Sequence, residues 1–285
     1  MNRDLVFGTL VLAFCGSATW LTGWLSSRNF PPRADESGRR AERRAWRRLW
    51  APLMPAAVAL AALAGWVIQE PRSTDELLRP FASTFVLPLA CLWLRASVRA
   101  ARALRPPRVS PVAATMGILR PRVVLSSSLR QRLDCHSFDA ALAHEQAHAR
   151  HRDPLRIWLA QIATDLQWPN PVAARRFGEW KVALELARDE EARAGGVRGE
   201  DLAEALIAAV RLARAGAAPV EARLTGPEQT LVERIDRLLS PLREGPFIIR
   251  GQLLPFAFFV VLTAAMVFGV ARGDLLVRAL PLIVY

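Results

Sequence analysis

Cysteine, lysine and tyrosine are scarce in this chain. Lys181 is the only lysine, so arginine carries almost all of the positive charge behind the net charge of +12, and Tyr285 is the only tyrosine. The three cysteines, Cys15, Cys91 and Cys135, form no C-x-x-C pair. The sequence therefore predicts neither a disulfide framework nor a metal site built from thiolates.

Charged residues are absent from three long stretches. Residues 5–25, 49–69 and 251–271 each run for 21 positions without a charge, in a chain that is 52% hydrophobic. A helix of roughly 20 apolar residues crosses the hydrocarbon core of a membrane, so each stretch predicts a transmembrane helix. A cleaved signal peptide is the alternative for the first stretch, but the apolar part of such a peptide spans only about 7 to 15 residues.

A fourth uncharged stretch is shorter. Residues 80–94 give 15 uncharged positions, which correspond to about 22 Å of helix at about 1.5 Å per residue. Arg79 and Arg95 can extend their charged ends toward the two membrane surfaces, which lengthens the span to about 78–98. The chain is thus predicted to be an integral membrane protein with about four transmembrane helices.

The loops between these stretches differ in charge. Residues 26–48 hold eight arginines and three acids, and residues 95–108 hold five arginines and no acid, whereas residues 70–79 hold three acids and two arginines. Because positively charged loops stay in the cytoplasm, we expect the N-terminus outside and the segment after the third helix inside. Nucleic-acid binding by the arginines is an alternative that explains this alternation less economically.

The chain is therefore predicted to have three parts. They are residues 1–108 with three transmembrane helices and basic loops, residues 109–250 as a cytoplasmic domain, and residues 251–285 with the fourth helix and a short outside tail. Within the first part, the basic stretch 39–48, with Trp46 and Trp50, is expected to lie against anionic lipid.

The cytoplasmic domain is predicted to be mainly helical with a small β-sheet. A turn is expected near Arg120-Pro121 between two short apolar strands. Ser137 is expected to cap the first helix, with Asp139 in its first turn, and Gly195-Gly196 to end the third. The predicted strands are residues 112–114 and 123–125, and the predicted helices are residues 137–150, 153–168, 172–194, 200–215 and 227–239.

Two histidines four residues apart carry the chemistry predicted for this domain. In His144-Glu145-Gln146-Ala147-His148 the two imidazoles lie about 40° apart on one helical face, so both can bind one Zn²⁺. Glu145 can reach a zinc-bound water and take its proton while the water attacks a carbonyl. Chance is the alternative for so short a motif. The flanking His136 and His151 are expected to be ordinary solvated or locally hydrogen-bonded histidines.

A third ligand is expected from a later helix. Glu185 is the candidate, and Asp189, one helical turn further along the same face, can accept the distal N–H of a ligating histidine. A solvated acidic helix face is the alternative, since Glu190 and Glu191 follow directly. Together with the upstream motif, the pattern favours the metal site.

Several stretches resemble a known family. They are "GILRPRVVLS", "LSSSLRQRLDCHSFDAALAHEQAHARHRDPL", "QWPNP", "ELARDEEA" and "ERIDRLL". Over roughly residues 110–240 these resemble the metallopeptidase domain of the bacterial β-lactam-sensing and methicillin-resistance signal transducers, and the position between a third and a fourth transmembrane helix matches too. A more distant likeness is to membrane-bound prenyl-protein and heat-shock proteases. The resemblance implies a gluzincin-like HExxH zinc peptidase in the bacterial cytoplasmic membrane.

The resemblance also implies roles for individual residues. His144, His148 and Glu185 would be zinc ligands, Glu145 the general base, and Asp189 a residue that holds a ligand. An extended substrate would pair with the edge of the strand formed by Val123, Val124, Leu125 and Ser126. The substrate would be a cytosolic protein, by analogy a transcriptional repressor, or the chain itself.

Two departures from the family qualify this expectation. Antibiotic-sensing members carry a penicillin-binding domain after the last transmembrane helix, whereas 14 residues follow Ala271 here. We therefore expect the stimulus to enter through the membrane helices, the outside loops or a partner. Because Tyr285 is predicted to lie across the membrane, the oxyanion is expected to be stabilised by zinc, His151, an arginine or Asn170.

Three functions stay open on the sequence alone. The first is regulated cleavage of a cytosolic protein or of the chain itself. The second is quality control of membrane proteins, and the third is a non-catalytic signalling scaffold in which zinc holds helices together. The expected partners are a protein substrate and the lipid bilayer, with no direct nucleic-acid partner and no prediction of oligomeric state.

Overall fold

The computed structural model describes residues 36–55, 57–58, 61, 87–105, 111–168, 170–215 and 228–241. These residues form a mainly helical structure with a small two-stranded sheet, as predicted. The predicted spans 5–25 and 251–271, and most of 49–69, lie outside them. Among the residues that the structure describes, no helix is long and apolar enough to cross a membrane.

Eight helices and two strands are described. The N-terminal helix α1 and the helix α2 precede the hairpin, and six helices follow it. In chain order the elements are α1 (Gly38–Trp50), a 3₁₀ turn (Ala51–Leu53), α2 (Leu87–Ala103), β1 (Ala113–Met116), β2 (Arg122–Leu125), α3 (Ser127–Arg132), α4 (Cys135–Arg150), α5 (Asp153–Asp165), α6 (Pro171–Ala194), α7 (Gly199–Ala215) and α8 (Glu228–Leu239).

The hairpin forms where apolar, β-branched residues were predicted to form strands. Strands β1 and β2 are antiparallel, with Thr115 opposite Val123. Gly117 in the connection has a φ of 95°, and an added Cβ would stand 2.6 Å from the carbonyl oxygen of Arg120. Only glycine accommodates both conditions, so this turn depends on it.

Helix α4 begins earlier than predicted. Its N-cap is Asp134, whose carboxylate accepts a hydrogen bond from the Ser137 amide at 2.7 Å. Ser137 instead donates its hydroxyl to Glu204 of α7 at 2.9 Å. The expectation that Ser137 caps this helix is wrong, because an ionised carboxylate is the stronger acceptor for a free amide at a helix start.

Helices α5 and α6 start as the sequence predicted, at Asp153 and beside Asn170. The Asn170 side chain accepts a hydrogen bond from the Val172 amide at 3.0 Å, and Pro171 opens α6. Helix α5 ends at Asp165 rather than near residue 168, and the following turn carries the chain to Asn170.

Helix α1 packs along α6 and completes one of the apolar cores. Leu49 is 1% exposed and joins Trp180 and Leu184 of α6. Trp46 stacks against Trp180 with 5.0 Å between ring centroids. The expectation that Trp46 and Trp50 lie against lipid is therefore corrected, because both pack against this core instead.

Helix α2 is attached to α5 by polar contacts. Asp165, which is 3% exposed, pairs with Arg99 at 2.9 Å and with Arg95 at 3.6 Å. Trp158 donates its indole N–H to the carbonyl oxygen of Ala100 at 3.1 Å. Arg95 was expected to extend toward a membrane surface, but its guanidinium lies beside a buried carboxylate of the helical body.

Candidate metal centre

The centre of the structure is the crossing of α4 and α6. Helix α4 carries His144 and His148, whose Nε2 atoms lie 3.1 Å apart. Helix α6 carries Glu185, whose carboxylate oxygens lie 3.5 Å from His144 Nε2 and 3.7 Å from His148 Nε2. One ligand atom from each of these three residues lies within 4.8 Å of the others. The structure thus brings together the three residues that the sequence singled out.

Asp153 holds the second histidine. His148 Nδ1 lies 2.9 Å from Asp153 Oδ2. This contact forms because α4 and α5 are joined by a tight reversal in which Arg152 adopts a left-handed φ of 51°, an arrangement uncommon outside glycine. Asp153 was predicted only as the start of a helix and not as a site residue.

Asp189 lies beside the first histidine. Its Oδ1 atom is 3.0 Å from His144 Nδ1, although the contact is not aligned as a hydrogen bond. Asp189 is one turn beyond Glu185 on α6, so both carboxylates face α4.

Each of the two aspartates accepts hydrogen bonds from an arginine at both of its carboxylate oxygens. Arg188 donates from Nε and Nη2 to the two oxygens of Asp153. Arg234 of α8 donates to the two oxygens of Asp189 at 2.8 and 2.9 Å, and its Nη1 lies 3.2 Å from Glu185. Two His–Asp–Arg chains therefore flank the crossing. Neither arginine was predicted, although Arg234 lies within "ERIDRLL", a stretch that carries the family resemblance.

The acids and bases of the centre are strongly perturbed. Burial by itself lowers the pKa of His148, but the charge of Glu185 and the hydrogen bond to Asp153 raise it to about 10. Burial raises the pKa of Asp189, yet the charge of Arg234 and the contact with His144 lower it to about 2. Burial likewise opposes ionisation of Glu185, and the charges of Arg234 and His148 hold its pKa well below the usual range. The carboxylates are therefore ionised at neutral pH, and the site favours a cation.

The donor set fits a metal ion. Both histidine Nδ1 atoms face carboxylates, and the two Nε2 atoms face each other at 3.1 Å. Two nitrogens this close need either a proton on one of them or a metal ion between them. A tetrahedral ion bound at about 2.0 to 2.1 Å separates two ligand nitrogens by about 3.3 Å. His144, His148 and Glu185 are thus spaced so that they would hold one ion.

Glu145 is held by the hairpin. Its carboxylate Oε2 accepts a hydrogen bond from the Thr115 hydroxyl at 2.9 Å, and that hydroxyl is also 2.7 Å from the Glu145 carbonyl oxygen. Glu145 is 9% exposed, and its charge contributes to raising the pKa of His148. Thr115 was not predicted, and no local signal marks it.

The predicted substrate strand, β2, is not the strand whose side chain donates a hydrogen bond to Glu145. Thr115 belongs to β1, whereas residues 123–126 belong to β2 and the residue after it. Val123, Val124 and Leu125 pair with β1. Ser126 caps α3 by accepting a hydrogen bond from Leu129 at 3.1 Å.

The other residues predicted as candidates to stabilise the oxyanion, His151 and Asn170, make contacts outside the metal cluster. His151 lies 2.7 Å from Glu191 on the exposed side of α4. Asn170 caps the start of α6, about 22 Å of helix before Glu185 at about 1.5 Å per residue. Among the described residues, Arg234 is the arginine in contact with the proposed ligand Glu185.

The comparisons with known proteins agree with the motifs. No curated protein and no solved structure matches the chain. The family model described as BlaR1 peptidase M56 matches residues 85–238, which is more than half of the 285-residue chain. The matched segment includes every residue of the crossing described above. The chain belongs to the BlaR1 peptidase M56 family, which confirms the resemblance drawn from its sequence.

Proposed function

We propose that this peptidase is a zinc-dependent endopeptidase with His144, His148 and Glu185 as metal ligands. The observation that carries the proposal is the facing pair of Nε2 atoms at 3.1 Å with a carboxylate 3.5 and 3.7 Å away. Two imidazoles and one carboxylate with an open fourth position are the ligand set of a catalytic zinc site. Cys135 is exposed and is not part of the cluster.

Glu145 acts as the general base in this proposal. When bound, zinc would supply Lewis-acid activation of a water molecule and of the scissile carbonyl. Glu145 then takes the proton of the attacking water and delivers it to the leaving amine. Thr115 keeps the Glu145 carboxylate in place through the 2.9 Å hydrogen bond.

The two His–Asp–Arg chains hold the ligands in position. Asp153 accepts a hydrogen bond from His148 Nδ1, and Asp189 lies 3.0 Å from His144 Nδ1, so the two acids orient the Nε2 atoms of the histidines toward the proposed metal. Arg188 and Arg234 keep these acids ionised and fixed. Arg234 also touches Glu185, so one guanidinium orients a ligand and the acid behind another ligand.

The family and the exposed surfaces support a proposal for the substrate and for attachment to a membrane. On α2, Trp93 is 53% exposed and Leu94 is 65% exposed, which supports attachment of this helix to a bilayer. We propose that an extended protein segment, from a cytosolic repressor or from the chain itself, pairs with the hairpin beside Glu145. Pairing at residues 123–126 stays the proposed mode.

The decisive variant is Glu145→Gln. The purified protein in detergent should bind about one zinc ion per chain, and the variant should keep this zinc while peptide cleavage falls by about 10²- to 10⁴-fold. Glu204→Gln is the control, because Glu204 contacts Ser137 away from the cluster. Undiminished cleavage by Glu145→Gln with bound zinc would overturn the mechanism.

Two other functions give different outcomes. A quality-control protease would cleave many unrelated unfolded proteins without a preferred partner. A scaffold with structural zinc would keep its cellular activity in Glu145→Gln and lose it together with folding in His148→Ala. The three-residue donor set among the described residues and the buried Glu145 favour catalysis over a structural metal, which usually has four protein ligands.

A further inference from the structure

The acid that holds His148 belongs to a larger buried network. Arg188, which is 1% exposed, contacts Asp153 on one side and lies 3.8 Å from Glu42 on the other. Arg156 joins the same two acids, because it binds Asp153 at 3.0 Å and also pairs with Glu42. Glu42 is 6% exposed. Two arginines thus link Glu42 to the carboxylate that orients His148.

Glu42 lies outside the segment that defines the family. The family match begins at residue 85, whereas Glu42 belongs to α1. A buried carboxylate is costly unless it is paired, so Glu42 depends on both arginines as much as they depend on it. Removing Glu42 leaves the buried Arg188 with Asp153 and Glu191 and the partly exposed Arg156 with Asp153, and both contacts of Asp153 must readjust.

Helix α1 is also fixed to the helix that carries Glu185. The Glu190 carboxylate accepts hydrogen bonds from the Gly38 and Arg39 amides, which caps the start of α1. An added Cβ at Gly38 would stand 2.6 Å from the carbonyl carbon of Leu186, so the two backbones are in direct contact. At the other end Arg176 donates to the Arg48 carbonyl oxygen at 3.1 Å. A displacement of α1 therefore acts on α6 between Arg176 and Glu190.

We propose that Glu42 is a positioning residue for His148, acting through Arg188, Arg156 and Asp153, so that the docking of α1 sets the metal affinity of the site. The inference rests on the proposed function. It also gives a route for regulation, because the sequence places α1 between two predicted transmembrane stretches. Movement of those stretches would reach the ligands through α1.

The test compares zinc affinity in two variants of the full chain in detergent. Glu42→Gln should weaken zinc binding by about tenfold, the lower end of the effect expected when a partner of a metal ligand is lost. Glu179→Gln is the matched control, because Glu179 pairs with Arg48 across the same α1–α6 interface at 3.6 Å but does not touch Arg188, Arg156 or Asp153 in the described contacts. Zinc affinity is measured by competition with a fluorescent chelator at constant pH.

A second pair of variants changes the docking of α1 on α6 without removing a charge. Gly38→Ala should lower zinc affinity by a similar factor, since the added methyl group pushes α1 away from α6. Gly178→Ala on α6 is its control, because a Cβ there meets no atom within 4 Å. Thermal midpoints of the zinc-free proteins show whether an affinity loss merely reflects unfolding.

Hydrogen exchange gives a readout that does not depend on activity. If docking of α1 favours zinc, zinc must favour docking of α1 by the same factor. Zinc should therefore slow amide exchange in α1 of the wild type, and this protection should shrink in Glu42→Gln.

The outcomes distinguish the two proposals. A wild type that binds no zinc overturns the proposed function. A wild type that binds zinc, with Glu42→Gln within twofold of it or Glu179→Gln equally weakened, overturns the role of Glu42 alone. Unchanged exchange of α1 on zinc binding overturns it as well.

Discussion

The two histidines of the crossing are held by acids of unequal accessibility. The Asp153 side chain is 1% exposed and its arginine Arg188 is 2% exposed, whereas Arg234, which holds Asp189, is 15% exposed. Burial makes an ionised acid dependent on its partner, because an unpaired charge in the interior is unstable. The acid–arginine pair that holds His148 is thus more sensitive to loss of one partner than the pair beside His144.

Asp153→Asn is expected to weaken zinc binding by about 10- to 100-fold. The amide keeps the shape of the side chain but removes the charge that pairs with Arg188 and orients His148. Zinc competition in detergent measures the effect. Asp201→Asn is the control, because Asp201 pairs with Arg198 at the surface. Equal affinities of Asp153→Asn and the wild type would contradict the assignment of Asp153.

The lowered pKa of Glu191 predicts that the folded state loses stability in acid. Burial raises its pKa, but His151, Arg150 and Arg188 together lower it to about 2, below the ordinary 4.5. An acid with a lowered pKa stabilises the folded state above about pH 4.5, and this contribution disappears as the pH falls from 4.5 toward 2. Glu191→Gln should therefore lower the stability by about 1 to 2 kcal/mol at pH 7, discounted for the exposed partners.

The measurement for Glu191 is the thermal midpoint of both proteins at pH 7 and at pH 3. The gap between wild type and Glu191→Gln should narrow at the lower pH, because below about pH 4.5 the unfolded state gains a proton at Glu191 that the folded state does not bind. A gap that stays constant between the two pH values would show that the ion pairs with Glu191 do not stabilise the fold.

At the scale of elements, local chemistry explains what the sequence predicted. Proline and asparagine at the start of α6, Gly195 at its end and the apolar pieces of the hairpin all act over a few residues. The histidine pair was predictable for the same reason, because His144 and His148 are one turn apart, whereas Glu185 was identified from its acidic stretch and from the family resemblance. The N-cap of α4 was predicted wrongly because Asp134, three residues before Ser137, is also a capping residue and accepts a hydrogen bond from the Ser137 amide itself.

The unpredicted residues are those whose partners are far apart in sequence. Thr115 meets Glu145 across 30 positions, Arg234 meets Asp189 across 45, and Arg188 meets Asp153 across 35. A charge pattern that predicts a cytoplasmic loop does not reveal that this loop contains a helix seated on α6. Periodicity and capping carry no information on such tertiary pairs.

Gly199→Ala should destabilise the contact between α7 and α8. An added Cβ at Gly199 would stand 1.9 Å from the carbonyl oxygen of Leu238, so one helix must move. We expect a loss of about 1 to 3 kcal/mol, as in other overpacked sites. Gly178→Ala, in the open middle of α6, should instead stabilise the protein by about 0.5 to 1 kcal/mol. Thermal unfolding in detergent compares them, and an equally stable Gly199→Ala would contradict the packing.

At the scale of the whole molecule, the helical body extends beyond the family match. Leu49 and Trp46 of α1, which precede the matched residues, fill the core formed by Trp180 and Leu184. The helix that carries Glu185 therefore packs against a segment that adjoins predicted membrane spans.

The proposed orientation predicts the accessibility of Cys135. Cys135 is exposed at the start of α4, and the charge pattern predicts that this domain lies in the cytoplasm. In a variant with Cys15→Ser and Cys91→Ser, a membrane-impermeant maleimide should label Cys135 only after the cells are permeabilised. Labelling in intact cells would contradict the cytoplasmic location.

The central claim is that His144, His148 and Glu185 hold one zinc ion, and X-ray absorption at the zinc edge of the purified protein tests it most directly. The predicted spectrum shows imidazole nitrogens and carboxylate or water oxygens at about 2.0 to 2.2 Å, with no sulfur shell at about 2.3 Å. In His148→Ala the bound zinc should fall well below that of the wild type. A sulfur shell, or zinc retained unchanged in His148→Ala, would contradict the account.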